Sequence, residues 1–138
     1  MYHVEETDVV VLGAGAAGTL SAIYAHRINP KLRVVVLDKS KMETSGAAGR
    51  GMDALNTMAL PPYSQPEDIV EMLTKVTEGI LDQDVAYTFG KRCPQVVKDL
   101  EEIMHRSKGD LFPVDENGNY LLYYLHPTNK PMLLPMHG

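Results

Sequence analysis

Val9-Val10-Val11-Leu12-Gly13-Ala14-Gly15-Ala16-Ala17-Gly18 is the stretch that decides the fold. From Asp8 to Leu12 an apolar, β-branched run stops at glycine, the pattern of a strand buried on both faces of a parallel sheet. Ala16 to Ile28 carries helix formers and small residues and ends at Asn29-Pro30, which cannot continue a helix. Arg33 to Asp38 is a second β-branched run, and the crossover rule lays it parallel beside the first. The expected unit is βαβ, the opening of an α/β, Rossmann-like domain.

Gly13, Gly15 and Gly18 fit G-x-G-x-x-G between that strand and that helix, and Asp38 stands about twenty residues on, at the end of the second strand. Each part has a physical reason. Gly13 permits the tight turn, Gly15 lets backbone approach a pyrophosphate, and Gly18 lets helix and sheet pack closely. The first helical turn, with Ala16 and Ala17, offers N–H groups and positive dipole to phosphate. Asp38 is the expected acceptor for the adenosine ribose hydroxyls, and an acid there disfavours NADP. The fingerprint alone does not separate NAD from FAD, because both share the ADP half.

Composition narrows the remainder. The 138 residues are 44% apolar, and 18 acidic against 13 basic side chains argue against nucleic acid or an anionic membrane as the main partner. No apolar run approaches the length of about 18 residues that a spanning helix needs, and the first residues lack a signal-peptide pattern, so no membrane insertion and a cytoplasmic location are expected. Cys93 is the single cysteine, too few for a disulfide framework, a zinc site or an iron–sulfur cluster; no metal is expected here.

Beyond the βαβ unit of residues 1–38, residues 39–65 are rich in Gly, Ala, Ser and Pro, with a weak helical signal around Gly51 to Leu60, and are expected to form an ordered loop against a ligand. Residues 66–109 form a helical segment. Ser64 is the expected cap of a helix beginning near Pro66, burying Ile69, Met72, Leu73 and Val76. A second helix from Asp84 to His105 is expected to bury Val85, Phe89, Val96, Val97, Leu100 and Ile103, to bend at Pro94 and to stop before Gly109. Residues 110–138 read as a hairpin, Leu111 to Val114 and Tyr120 to Leu125 about an Asn117-Gly118 turn, followed by a tail without periodicity.

The segment that follows Asp38-Lys39-Ser40 runs Thr44-Ser45-Gly46-Ala47-Ala48-Gly49-Arg50-Gly51-Met52-Asp53-Ala54-Leu55-Asn56, dense in small residues suited to lying against an isoalloxazine ring. Here the chain resembles the flavoprotein subunits of the succinate dehydrogenase and fumarate reductase family. In that family a D/E-K-S step holds the ribose and a segment of the kind S-H-T-x-A-A-Q-G-G-I-N-A packs on the flavin. The wording from Ser45 to Asn56 is most similar to the S-G-A-x-A-Q-G-x-x-A-I-N of the adenylylsulfate reductase alpha branch. Pro66-Glu67-Asp68-Ile69-Val70-Glu71-Met72 and Asn117-Gly118-Asn119-Tyr120 resemble the same branch.

The resemblance implies FAD as cofactor, bound through Gly13, Gly15, Ala16, Ala17, Gly18, Asp38, Lys39, Ser40, Ser45, Gly46, Ala47, Gly49, Arg50, Gly51 and Asn56. Ser45 takes the position at which many members carry the histidine bonded to FAD, which implies noncovalent binding. It further implies an FAD-dependent oxidoreductase that exchanges electrons with an iron–sulfur partner subunit and acts on a small anionic substrate. Enzymes of this kind are several hundred residues long and their sheets have about five strands. Residues 1–138 therefore read as the incomplete N-terminal part of such a domain, inactive by itself. A dicarboxylate-directed fumarate reductase or succinate dehydrogenase flavoprotein, and a nucleotide-binding module without chemistry, are the competing readings.

One departure stands out. Gly49-Arg50-Gly51 replaces the family's A-Q-G and makes Arg50 the one candidate for a catalytic role, stabilising reduced flavin or an anionic substrate. An exposed arginine paired with a carboxylate is the equal alternative. His126 and His137 are expected to be loop histidines rather than proton donors, Tyr120, Tyr123 and Tyr124 to pack on the core, and Cys93 to be a small buried hydrophobe.

Overall fold

The computed structural model describes residues 4–105, 111–125 and 128–137, apart from the side chains of Arg50 and His105. The chain divides into two compact units, residues 1–52 and 53–138.

In the first unit, β1 (Val9–Leu12) and β2 (Val34–Leu37) pair in parallel, Val9 opposite Val34 through Leu12 opposite Leu37, with α1 (Ala16–Ile28) between them in sequence. Gly13 N extends the ladder to Leu37 O at 2.7 Å. Val9 and Val11 are half-buried, whereas Val10 and Leu12 are 50% and 80% exposed. Burial of the strand on both faces is thus not met among the described residues: α1 packs on this pair, and Val10 and Leu12 alternate to the uncovered side. After β2 come two 3₁₀ turns, Met42–Thr44 and Ala48–Arg50.

The second unit is a helix pair and a small antiparallel sheet. β3 (Ala54–Leu55), β4 (Tyr123–Tyr124) and β5 (Pro131–Pro135) are ordered β3-β5-β4. The weak helical signal around Gly51 to Leu60 yields β3 and irregular chain instead. The tail that shows no periodicity supplies the central strand. Met132 and Leu134 point fully inward from β5, while Pro131 and Pro135, which lack the N–H a ladder needs, sit at its ends.

α2 (Pro66–Val76) starts from Gln65 rather than Ser64. Asp68 Oδ2 accepts the Gln65 N–H at 2.7 Å, and Ser64 is buried instead, its hydroxyl joining Met58 O and Leu60 N. Ile69 and Met72 are buried, but Val76 at the helix end is exposed.

α3 (Gln83–His105) carries Pro94 inside it; of the expected face it buries Val97, and Leu100 packs against the core. Ala86, Gly90, Cys93 and Val97 face inward, whereas Val85, Phe89 and Val96 are exposed. Close approach accounts for Gly90: a Cβ there would lie 2.8 Å from Pro66 Cα, so the α2–α3 seam has no room for a side chain at that point.

The core of this unit joins Met58, Ala59, Leu60, Ile69, Met72, Cys93, Val97, Leu111, Phe112, Met132 and Leu134. Tyr120 packs against it, edge-on to Phe112 with ring centroids 6.1 Å apart. Tyr123 and Tyr124 are exposed, contrary to the core reading. Of the expected hairpin, an isolated Val114–Tyr120 bridge closes the Asn117-Gly118 turn. His126 and Gly109 lie outside the described residues, and His137 is exposed. No described helix is long and apolar enough to cross a membrane.

Candidate functional site

The site is built where β1 passes into α1. Gly13 has φ +101°, a conformation that side chains with a Cβ rarely adopt, and this turns the chain back over the strand. A Cβ on Gly18 would lie 1.9 Å from Gly13 O and 3.3 Å from Val11 Cγ1, so helix and turn touch backbone to backbone. Gly15 is different. A Cβ there would meet Gly46 Cα at an ordinary 3.6 Å, so the protein's own packing does not demand glycine at this position. Gly46 does demand it: φ is +72° and a Cβ would lie 2.8 Å from Gly15 Cα.

Gly15 is the N-cap of α1, and the first bond of the helix runs from Thr19 N to Gly15 O at 2.9 Å. The N–H groups of Ala16, Ala17 and Gly18 precede that bond, and no acidic side chain occupies the first turn. An anion meets partial positive charge here.

Asp38 directly follows β2 and reaches this turn. Its Oδ2 accepts the Ala14 N–H at 2.6 Å and the Ser45 hydroxyl at 2.7 Å; its Oδ1 accepts the Ser40 N–H at 2.7 Å and the Ser40 hydroxyl at 2.8 Å. The Ala14 N–H foremost, then the Ser45 hydroxyl and the Ser40 donors, hold its carboxyl well below the usual carboxylate range. Asp38 is ionised at neutral pH and binds the glycine turn to the loop that follows β2.

These parts enclose a cleft of about 790 Å³ lined by Gly13, Gly15, Asp38, Lys39, Ser40, Thr44, Ser45, Gly46 and Ala47. That is the size of a ligand cleft, about 300–1,000 Å³. Among the sequence-derived candidates, Ala16, Ala17 and Gly18 stand in the adjoining helical turn. Gly49 packs on Thr44, where a Cβ would meet the Thr44 carbonyl carbon at 3.1 Å. Arg50 and Gly51 follow at the second 3₁₀ turn, the Arg50 side chain lying outside the described residues. Asn56 follows β3 in the second unit.

Two participants escaped the sequence reading. Thr44 lines the cleft just ahead of the S-G-A wording, and Ala14 supplies an N–H to Asp38. The glycine motif leaves position 14 unspecified, and Ala14 acts through its backbone N–H.

Residues 8–129 match the model of the FAD binding domain family. The chain belongs to that family. Its cofactor is FAD, and a glycine turn whose Gly15 leaves the cleft unfilled at the N-terminus of α1 fits the group. The chain is 26% identical over 99 residues to the adenylylsulfate reductase subunit alpha of Megalodesulfovibrio gigas, covering 69% of this chain and 15% of that protein. It is 27% identical over 126 residues to the 8-methylmenaquinol:fumarate reductase flavoprotein subunit of Wolinella succinogenes, covering 89% and 19%. To the fumarate reductase flavoprotein subunit of Proteus vulgaris it is 31% identical over 97 residues, covering 68% and 15%.

An E. coli quinol fumarate reductase chain shares the fold, with a TM-score of 0.76 at 16% identity over 96% of this chain and 22% of that one. The chain thus spans 15% to 22% of the length of the proteins named.

Proposed function

We propose that this segment holds FAD noncovalently for a flavoprotein subunit that trades electrons with an iron–sulfur partner, in the manner of adenylylsulfate reductase. The observation that carries the reading is the cleft in which the Gly13–Gly15 turn, the start of α1 and Asp38 converge. Gly15 and the N–H groups of Ala16, Ala17 and Gly18 would hold the pyrophosphate, and Asp38 would accept from the adenosine ribose. Ser45 to Gly51 would line the flavin ring.

Noncovalent attachment is supported by the absence of any histidine between His26 and His105, and by the Ser45 hydroxyl being engaged by Asp38. Bound flavin supplies two-electron chemistry with release of single electrons to a partner. The single cysteine, Cys93, buried and with its thiol pKa raised by desolvation, leaves no ligand set for a cluster within residues 1–138. Arg50 carries the fixed positive charge proposed to face an anionic substrate. A further layer packed on the uncovered face of β1 would bury the exposed Val10 and Leu12, as a Rossmann-like sheet requires.

The test is direct. The purified protein should show flavin absorbance near 370 and 450 nm, roughly, and acid precipitation should release the flavin into the supernatant. Flavin retained in the pellet defeats noncovalent binding. The 31% identity to a fumarate reductase sustains a second reading, in which the substrate is a dicarboxylate. Reoxidation of the reduced full-length subunit by adenylylsulfate, and not by fumarate, decides between the two.

A further inference from the structure

Asp38 presents two unlike oxygens. Oδ2 holds part-buried bonds to Ala14 N and Ser45 Oγ; Oδ1 holds exposed bonds to Ser40 N and Ser40 Oγ. A carboxylate has about four acceptor positions, so this one is saturated. A ribose hydroxyl can gain a bond to it only by displacing a donor.

The four donors differ in how readily they leave. The Ala14 N–H is fixed by the glycine turn, and the Ser40 N–H by its place two residues after the acid. Ser45 is 7% exposed, so its hydroxyl, once displaced, would be a buried group stripped of its partner. Its neighbour Gly46 is seated on Gly15, which leaves that stretch little room to move. Ser40 is exposed, and its hydroxyl exchanges Asp38 for water at little cost.

We propose that the Asp38 carboxylate is divided between two tasks: Oδ2, with Ala14 and Ser45, is a lasting staple that sets the cleft wall, and Oδ1 receives the ribose diol in exchange for the Ser40 hydroxyl. The inference rests on the FAD reading of the cleft. Ser45 is a positioning residue that acts through Asp38, and Ser40 determines how much the diol contributes, because it competes for the same oxygen.

Titration calorimetry of the protein with ADP and with 2′,3′-dideoxy-ADP tests the division. The quantity of interest is the ratio of the two dissociation constants. In Ser40→Ala the competing hydroxyl is gone, and the ratio should rise about fivefold over wild type, the value of one net hydrogen bond. In Ser45→Ala both ligands should weaken by the same factor and the ratio should stay at the wild-type value. If Ser45→Ala melts below the assay temperature, the Ser40→Ala ratio decides alone. A ratio that rises in Ser45→Ala and not in Ser40→Ala would overturn the proposal by assigning the diol to Oδ2. A ratio near one in wild type and Ser40→Ala alike would also overturn it, by showing that the diol does not reach Asp38. Both results leave FAD binding standing, whereas a wild-type protein that takes up neither ADP nor FAD removes the FAD reading as well.

Discussion

The two units are held together by different physics. Among the described residues of the first, only Ala14 and Ser45 are buried, and its shape comes from glycines in backbone contact and from four hydrogen bonds on one carboxylate. The second closes around an apolar cluster that includes Ile69, Phe112, Met132 and Leu134, each 2% exposed or less. Burial of such side chains contributes about 1.5–3 kcal/mol apiece before cavity effects. The second unit therefore owes its stability to its core. The first owes its form to polar and steric detail, which suits a cradle that must leave its inner face open to a ligand.

The largest expected break lies in the first unit. Gly18→Ala forces a Cβ into the Gly13 carbonyl, and overpacking of this kind costs about 1–3 kcal/mol or more. Flavin should no longer co-purify, and the melting temperature should fall. Gly15→Ala separates binding from folding: its Cβ finds ordinary contact, so thermal stability should hold while FAD affinity drops about tenfold or more, as fluorescence titration would reveal. Equal losses of stability in the two variants would erase the distinction between a packing glycine and a ligand-facing one.

Truncation of apolar side chains should run the opposite way. Ile69→Ala in the second unit should cost about 2–5 kcal/mol in denaturant unfolding, against about 0.5 kcal/mol or less for Leu12→Ala, whose side chain is 80% exposed. Similar costs at both sites would mean that the first unit has a core like that of the second.

Acid distinguishes the units next. Asp38 has its pKa lowered by the Ala14 N–H and then the Ser45 hydroxyl, so its contribution is present above the unfolded carboxylate value of about 3.9 and lost only as pH falls through the lower folded value. FAD affinity that depends on ionised Asp38 should thus stay level through about pH 4 and fall only in stronger acid, where the folded carboxyl itself takes up a proton. A midpoint near pH 5 or 6 would exclude Asp38 as the controlling group.

The smallest effect belongs to the second unit, in alkali. Desolvation, with Glu101 beside it, pushes the Tyr120 phenol up to about 12. Its protonated form adds stability that is complete below the unfolded value of about 10 and is lost as pH rises through about 12. Ultraviolet titration should show a late-ionising tyrosine that Glu101→Gln makes earlier.

How much of this was legible in the sequence follows the same division. The strands and α1 of the first unit stand where the β-branched runs, Gly13 and Asn29-Pro30 place them, because each element is set by its own local pattern. The links of Asp38 to Ala14 and Ser45 were not legible, since they depend on how a turn and a loop distant in sequence come together. In the second unit the α2 periodicity held at Ile69 and Met72, while α3 held at Val97 and Leu100 and misled elsewhere, where Val85, Phe89 and Val96 are exposed and the small Ala86, Gly90 and Cys93 face inward. β5 was hidden by the prolines at its ends, which read as breakers although they only bound the strand.

The sulfur chemistry of the core has a consequence for how the protein ages. Met58, Met72 and Met132 are sealed in the cluster, whereas Met42 and Met52 are 60% and 41% exposed on the chain that follows β2. Thioether oxidation makes an apolar side chain polar and disrupts a packed interior. An oxidant meets the exposed pair first, so damage begins as sulfoxide on the loop and leaves the interior of the second unit intact.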